Sequence, residues 1–400
     1  MTTETGTSRP GRVHLPELDG VRGLAIAGVM ALHFVGAIAP TGVIERAAAK
    51  ISGYGVWGVD LFFVLSGFLI TGILLDSKGS PRYLRDFYMR RTLRIFPLYY
   101  GVLLVLMVLI PGSALARLDP QLIEMRRLQG WIWPYLTNVY LGSQTSWSIP
   151  YVSHFWSLAI EEHFYLVWPF LILLLSRKAA MRTCVALALF SLGLRIWFTM
   201  TEPQLLYASV LTPCRLDALC AGGWFALSAR GEHPFTLDRA MRWIAVSGVA
   251  ILALSTWHAV LTIGDVLVLP LRTTLLAVFF GLFIYISSRP SGWPIVRAGL
   301  RVPALRSLGK YSYGLYVYHG IVAYAIDRYG LETILTRVVG MHLLAAGMKI
   351  TFGVTLSMLL AVASYKLFEV RFLALKDRFE NAAGTSSQSS VRRSAIAVPT

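Results

Sequence analysis

The stretch VWGVDLFFVLSGFLITGILL, residues 56–75, carries a single ionisable group, Asp60, close to its start. About twenty mostly apolar residues, rising about 1.5 Å each as a helix, match the roughly 30 Å hydrocarbon core of a bilayer. Comparable runs recur near residues 19–39, 95–110, 155–175, 183–200, 208–228, 243–261, 266–286, 311–328 and 343–368. The chain therefore reads as an all-α, polytopic integral membrane protein with about ten transmembrane helices. Composition agrees. Hydrophobic residues make up 56% of the 400 and charged residues only 14%, where a soluble domain carries about a quarter. Residues 131–150 are aromatic but contain Pro134, Asn138 and a Ser/Gln/Thr run, which suits an interfacial or re-entrant piece better than a span. The first run follows a polar start, Met1 to Pro16, and no small-residue cleavage site follows it, so it is expected to be a permanent span rather than a signal peptide.

The formal net charge of +16 would suggest nucleic acid in a soluble chain. Here the basic residues lie between apolar runs. With ten spans and the N-terminus inside, 25 of the 37 Lys and Arg fall in inside segments and seven in outside ones. The other five, Arg22, Arg195, Arg215, Arg272 and Lys349, lie within spans. That bias predicts cytoplasmic N- and C-termini, and counting 131–150 as an eleventh span would destroy it. The expected organisation is a cytoplasmic segment over 1–17, a membrane domain over 18–375 and a disordered cytoplasmic tail over 376–400. Cys184, Cys214 and Cys220 sit within apolar runs and form neither a disulfide framework nor a metal-ligand pattern.

Ionisable residues inside spans are costly, and each is a functional candidate. Arg22 and His33 are eleven residues apart, so they share a helix face, separated by roughly 16 Å. That arrangement suits a pathway from the inner rim toward the midplane; the alternative is a packing histidine. Arg91 and Arg94, three apart, suit bidentate phosphate binding, with Pro97 ending an interfacial turn; the basic loop around them also suits a topology signal. Ser157, Glu161 and Tyr165 recur at i, i+4 and i+8 on one face, where the carboxylate can act as a base or merely snorkel. Arg215 and Asp217 can neutralise one another or pair with other helices. Tyr313, Tyr316 and His319 advance by three along one side of a helix, as a functional row or as packing.

These pieces, in this order, resemble acyltransferase family 3, the membrane O-acyltransferases that modify bacterial polysaccharides, lipopolysaccharide, peptidoglycan and some macrolides. The likeness runs over residues 14–375. It starts at Leu18-Asp19-Gly20-Val21-Arg22-Gly23 and His33, and continues through Gly58–Phe68, Arg91, Arg94 and Pro97. Ser157, Leu158, Glu161, Phe164 and Tyr165 follow, then Arg215 and Asp217, and it closes with Ser307–Gly309, Ser312, Tyr313, Tyr316 and His319. Family members often end the last span with Glu-x-Pro; here Glu369-Val370-Arg371 lacks the proline, which leaves a role for Glu369 open. The extracellular hydrolase-like domain fused to some relatives is not seen, so the expectation is a stand-alone member.

The resemblance implies a multi-pass protein of a bacterial-type inner (plasma) membrane. It implies transfer of an acyl group, by default acetyl, from cytoplasmic acyl-CoA to a hydroxyl of a glycan or other carbohydrate-containing acceptor. Acyl-CoA is then a co-substrate, with no permanently bound cofactor, no metal and no nucleic-acid partner. In this reading Arg91 and Arg94 bind the donor, and His33, Arg22 and Glu161 are catalytic. His33 serves as base or acylated nucleophile, Arg22 orients the donor or stabilises the oxyanion, and Glu161 orients His33. Ser157, Tyr165, Arg215, Asp217, Tyr313, Tyr316 and His319 support them. Ser66, without an identifiable base, reads as a small packing residue. The competing readings are acylation of a small metabolite such as a macrolide, a transporter or flippase using the same charged residues, and a non-catalytic scaffold. A transporter would predict internal repeats, and none is visible.

Overall fold

The computed structural model describes residues 15–111, 119–232, 234–261 and 265–376. Most of the expected N-terminal segment and nearly all of the expected tail lie outside these residues. The regular elements described are helices: α1 Pro16–Phe34, α2 Val43–Gly53, α3 Trp57–Ser77, α4 Tyr83–Leu104, α5 Pro120–Arg127, α6 Gln129–Ile132, α7 Thr137–Gly142, α8 Trp156–Leu174, α9 Arg177–Thr201 and α10 Tyr207–Val210. They continue with α11 Thr212–Ala229, α12 Leu237–Leu261, α13 Asp265–Ser287, α14 Pro294–Leu300, α15 Pro303–Lys310, α16 Ser312–Arg328, α17 Leu331–Val339, α18 His342–Ser364 and α19 Val370–Lys376. Helix is the only open-ended element that satisfies its backbone groups internally in lipid.

Among the described residues, six helical stretches are long and apolar enough to cross a membrane: Val43–Ser77, Tyr83–Leu109, Ser153–Leu174, Arg177–Thr201, Val266–Ser287 and His342–Leu375. The other four expected runs are also helical, as α1, α11, α12 and α16. Of these, α1, α11 and α16 have only 19, 18 and 17 residues and carry ionisable groups.

Two details differ from the sequence reading. The helix expected from residue 95 begins at Tyr83, so Arg85, Arg90, Arg91 and Arg94 ride on α4 rather than in a loop. Its first turns bury Tyr83, Asp86 and Phe87 against the bundle, and the Tyr83 and Tyr88 hydroxyls donate to the Pro169 and Leu166 carbonyls of α8. This amphipathic packing sustains a helix that hydropathy alone does not register. Pro97 consequently lies inside α4 and ends no turn; in a membrane bundle neighbouring groups tolerate such a residue. The 131–150 region forms only the short α6 and α7. It folds back onto the bundle, where buried Asn138 donates its amide to Thr212 Oγ1 at 3.0 Å.

Two helix crossings position the site. A Cβ on Gly23 of α1 would run into the Leu305 carbonyl oxygen of α15, and one on Gly309 would run into that of Asp19. Glycine at both places lets the backbones touch, which pins α15 beside Arg22. Likewise Gly67 of α3 meets the Leu219 carbonyl of α11, and Gly222 meets that of Val64. Small residues let helices approach closely where lipid supplies no hydrophobic drive. At the other end of α1, the Ala39 N–H donates to Glu332 at 3.0 Å and Lys349 Nζ donates to the Ala37 carbonyl at 3.4 Å. The bundle thus has an Arg22 end, beneath α15, and a His33 end, beside α17 and α18.

Candidate active site

A cavity of about 180 Å³ lies between α1, α3, α4, α8 and α16. Its apolar wall includes Val59, Phe62 and Ile70, and its polar groups are Arg22, Ser66, Arg91, Arg94, Ser157, Glu161, Glu162, Tyr165, Ser312, Tyr313 and Tyr316. Local helix geometry explains the convergence. Three-residue spacing on α4 points Arg91 and Arg94 inward together, and four-residue spacing on α8 aligns Ser157, Glu161 and Tyr165. Arg22 is steadied by Asp19 one turn earlier, at 2.7 Å. The Arg91 guanidinium lies 5.7 Å from the Tyr165 ring centroid. Among the described residues Arg91 and Arg94 form no ion pair with a carboxylate within contact distance, although Glu161 and Glu162 line the same cavity, so these two guanidiniums keep donors available to an anion. Arg22, Arg94 and Tyr313 also line a second, larger cleft of about 720 Å³ at the Arg22 end.

Ser66 is more than a packing residue. Its Oγ is 2.5 Å from the Tyr165 hydroxyl, and both line the cavity with Glu161. Its neighbour Gly67 provides the close helix contact instead. At the opposite wall Ser157 hydrogen-bonds Tyr316, whose hydroxyl donates to the His154 carbonyl at 2.8 Å. The Tyr313 hydroxyl donates to the Ile95 carbonyl at 2.6 Å, two residues before Pro97.

His33 is not one of the cavity-lining residues. It lies beyond that wall, packed edge-on against His319 at 4.9 Å between ring centroids. His319 is in turn 5.5 Å from the Tyr316 ring and 5.3 Å from His154. The Nδ1–H of His33 donates to the Val29 carbonyl at 2.9 Å, and that of His319 to the Leu315 carbonyl at 3.0 Å. A helical histidine fixed in this way keeps its proton on Nδ1 and leaves Nε2 as a bare acceptor. His319 Nε2 is buried without a partner among the described residues. Glu161 makes no hydrogen bond to His33 in the described structure; the helices bring it to Ser66, Tyr165 and the arginines instead. Sequence reasoning missed His154. Its only signal was its place three residues before Ser157, in a 3-10 turn leading into α8.

Residues 15–366 match the model of a family described as an acyltransferase domain, acyltransferase family 3. The chain belongs to that family. It is 28% identical over 337 residues to the O-acetyltransferase OatA of Staphylococcus aureus, covering 80% of this chain and 52% of that protein. It is 31% identical over 222 residues to the peptidoglycan O-acetyltransferase OatA of Listeria monocytogenes, covering 50% and 32%. It is 34% identical over 162 residues to the putative peptidoglycan O-acetyltransferase YrhL of Bacillus subtilis, covering 39% and 23%. The chain therefore spans at most about half the length of these curated relatives. No solved structure matches it.

In this family member Arg215 and Asp217 do not neutralise one another. Arg215 pairs with Asp60 of α3. Asp217 takes both prongs of Arg195 from α9, at 2.9 and 2.6 Å, and Thr274 of α13 donates to it at 3.0 Å. Both pairs are buried and tie α11 to its three neighbours. Neither Arg195, Arg215 nor Asp217 lines the cavity, so this pair of motif residues holds the scaffold. At the His33 end, Lys349 joins Asp327 at 2.7 Å and Glu332 at 2.8 Å, and His342 bridges Glu45 and Glu332. Partial burial works against the charge of Glu332, but Lys349, the Ala39 N–H and His342 together hold its carboxyl below the usual value.

Proposed function

We propose that this chain is a membrane-embedded O-acyltransferase that moves an acyl group, acetyl by default, from acyl-CoA to a hydroxyl of a surface glycan. The observation that carries this reading is the convergence of Arg22, Arg91 and Arg94 with Glu161 on one cavity, which shares Arg22, Arg94 and Tyr313 with a cleft at the Arg22 end. Arg91 and Arg94, with Arg22 beside them, supply guanidinium forks that suit a ligand with several phosphates. Family membership and the names of the relatives support acyl transfer, and two of those names support a peptidoglycan acceptor in preference to a small metabolite.

The proposed topology has ten crossings with both termini cytoplasmic, which puts the Arg22 end inside and the His33 end outside. The donor enters at Arg22, Arg91 and Arg94, with its thioester toward Ser157 and Tyr316. The acceptor approaches from the His33 end. Its hydroxyl oxygen attacks the thioester carbonyl, an O–C bond forms and the C–S bond breaks. The hydroxyl proton passes to Nε2 of His33 and returns to the departing thiolate, which leaves as free CoA. Arg22, roughly 16 Å along α1 from His33, orients the donor with Arg91 and Arg94 rather than meeting the oxyanion. Glu161, beside Ser66 and Tyr165, faces the donor from the wall shared with the arginines instead of orienting His33.

The test is release of free thiol from acetyl-CoA by purified protein in detergent, with and without a glycan acceptor. Acceptor-dependent release, together with acyl label on the glycan, is expected. Silence toward acetyl-CoA, combined with glycan movement across a proteoliposome membrane, would replace the enzyme by a transporter.

A further inference from the structure

The larger cleft has its own chemistry. Its volume is about 720 Å³ against about 180 Å³ for the cavity with which it shares Arg22, Arg94 and Tyr313, within the range of pockets that hold whole small molecules. A ligand shared by the two needs a small end for the inner cavity and a bulky end for the cleft. Arg306 and Lys310, four residues apart on α15, line the cleft from one face. Both are exposed, and neither forms an ion pair among the described residues. The Lys310 ammonium lies 5.3 Å from the Tyr311 ring centroid and 5.4 Å from that of Tyr365, and the two rings pack edge-on at 5.2 Å. Tyr311 and Tyr365 thus hold the ammonium at the cleft wall and give that wall aromatic character. Both acids that line the cleft are engaged: Asp19 pairs with Arg22, and Glu369 accepts from Ser364 at 3.0 Å. The cations left facing the space are Arg94, Arg306 and Lys310.

We propose that this cleft binds the phosphorylated adenosine end of the donor, with Arg306 and Lys310 on its phosphate groups and the Tyr311–Tyr365 wall against its base. The inference rests on the acyl-CoA reading above and adds a specificity device to it: the enzyme grips a nucleotide handle far from the bond it breaks. Binding energy from a remote part of a substrate is one way enzymes select donors and hold the reacting end in place. α15 can carry this grip because the glycine contacts at Gly23 and Gly309 lock it to α1, the helix that carries Arg22.

The test compares acetyl-CoA with S-acetyl-pantetheine, which has the same thioester but no nucleotide, on the wild type and on the Arg306→Ala/Lys310→Ala double variant. Both residues are exposed on a short helix, so the variant is expected to fold. KM for acetyl-CoA should rise about tenfold, the loss expected from two charge-assisted contacts in a half-solvated cleft, while KM for S-acetyl-pantetheine stays unchanged. Adenosine 3′,5′-bisphosphate should bind the wild type in neutral phosphatidylcholine nanodiscs and bind the variant about tenfold more weakly. An equal KM shift with both donors, or no shift with acetyl-CoA, would overturn the proposal while leaving the acyl-CoA reading intact. No turnover of either donor would remove both. Failure of the bisphosphate to bind, with anionic lipid instead retained by the wild type and lost from the variant, would make the cleft a lipid headgroup site and reject the proposal.

Discussion

Replacing His33 by glutamine separates chemistry from packing. The Nδ1–H of His33 makes one hydrogen bond, to the Val29 carbonyl one turn earlier at 2.9 Å, and its ring makes one edge contact, with His319 at 4.9 Å. A glutamine amide can still donate to the Val29 carbonyl, so the hydrogen bond, worth about 1 kcal/mol, is largely kept. The lost ring contact costs about 0.5–1.5 kcal/mol. Stability should therefore drop by no more than about 2 kcal/mol, and the protein should remain inserted and folded. An amide cannot accept and return a proton at neutral pH, so loss of a general base should lower turnover by about a hundred- to ten-thousandfold. The assay is thiol release from saturating acetyl-CoA in the presence of glycan, paired with thermal unfolding in detergent. A His33→Gln protein that melts within a few degrees of the wild type and keeps more than about a tenth of its turnover would refute the catalytic role. An acyl group recovered covalently on His33 of the wild type would replace the base role by a nucleophilic one.

Arg94→Ala should raise KM for acetyl-CoA by about ten- to a hundredfold with a smaller effect on kcat, since a phosphate contact is equally present in ground and transition states. Arg94→Lys should restore only part of the loss, and unchanged KM in both variants would make the residue a topology signal. Asp217→Ala strands Arg195, which is 3% exposed, and should cost about 3–5 kcal/mol in unfolding measurements, while the Arg195→Met/Asp217→Leu double variant should recover most of that; equal losses in both would contradict the pairing. Glu332, with its carboxyl held below the ordinary value of 4.5, contributes stability that is present above that value and lost as pH falls below it. Glu332→Gln should therefore lower the melting temperature at pH 7, and its gap to the wild type should close as acid protonates the native carboxyl; a gap independent of pH would rule the linkage out.

The legible part of the site was the part written along single helices. Arg91 with Arg94, Ser157 with Glu161 and Tyr165, and Tyr313 with Tyr316 follow from helical period alone, and the structure brings all of them to one cavity. Arg22 reaches it too, but His33 on the same helix stops one layer short, against His319. Ser66 was read only as a packing residue and His154 was passed over for a common reason: their partners in the structure, Tyr165 and His319, lie 99 and 165 positions further along the chain.

The sequence by itself determined that this is a helical membrane protein, because runs of apolar residues state their solvent directly and lipid leaves the backbone few alternatives. It also determined family membership, through ordered motifs. Only the tertiary structure decided how the intramembrane charges pair. Arg215 lies two residues from Asp217 yet pairs with Asp60, and Asp217 pairs with Arg195. Residues two apart on a helix point about 200° away from each other, so each buried charge must be matched across a helix interface. The tertiary structure also decided that α4 begins at Tyr83, because its basic first turns are supported by α8 rather than by their own hydropathy. The physical reason is the same in each case. Helix formation is local and follows from period and polarity, whereas a desolvated charge is stabilised by whichever partner the packing delivers.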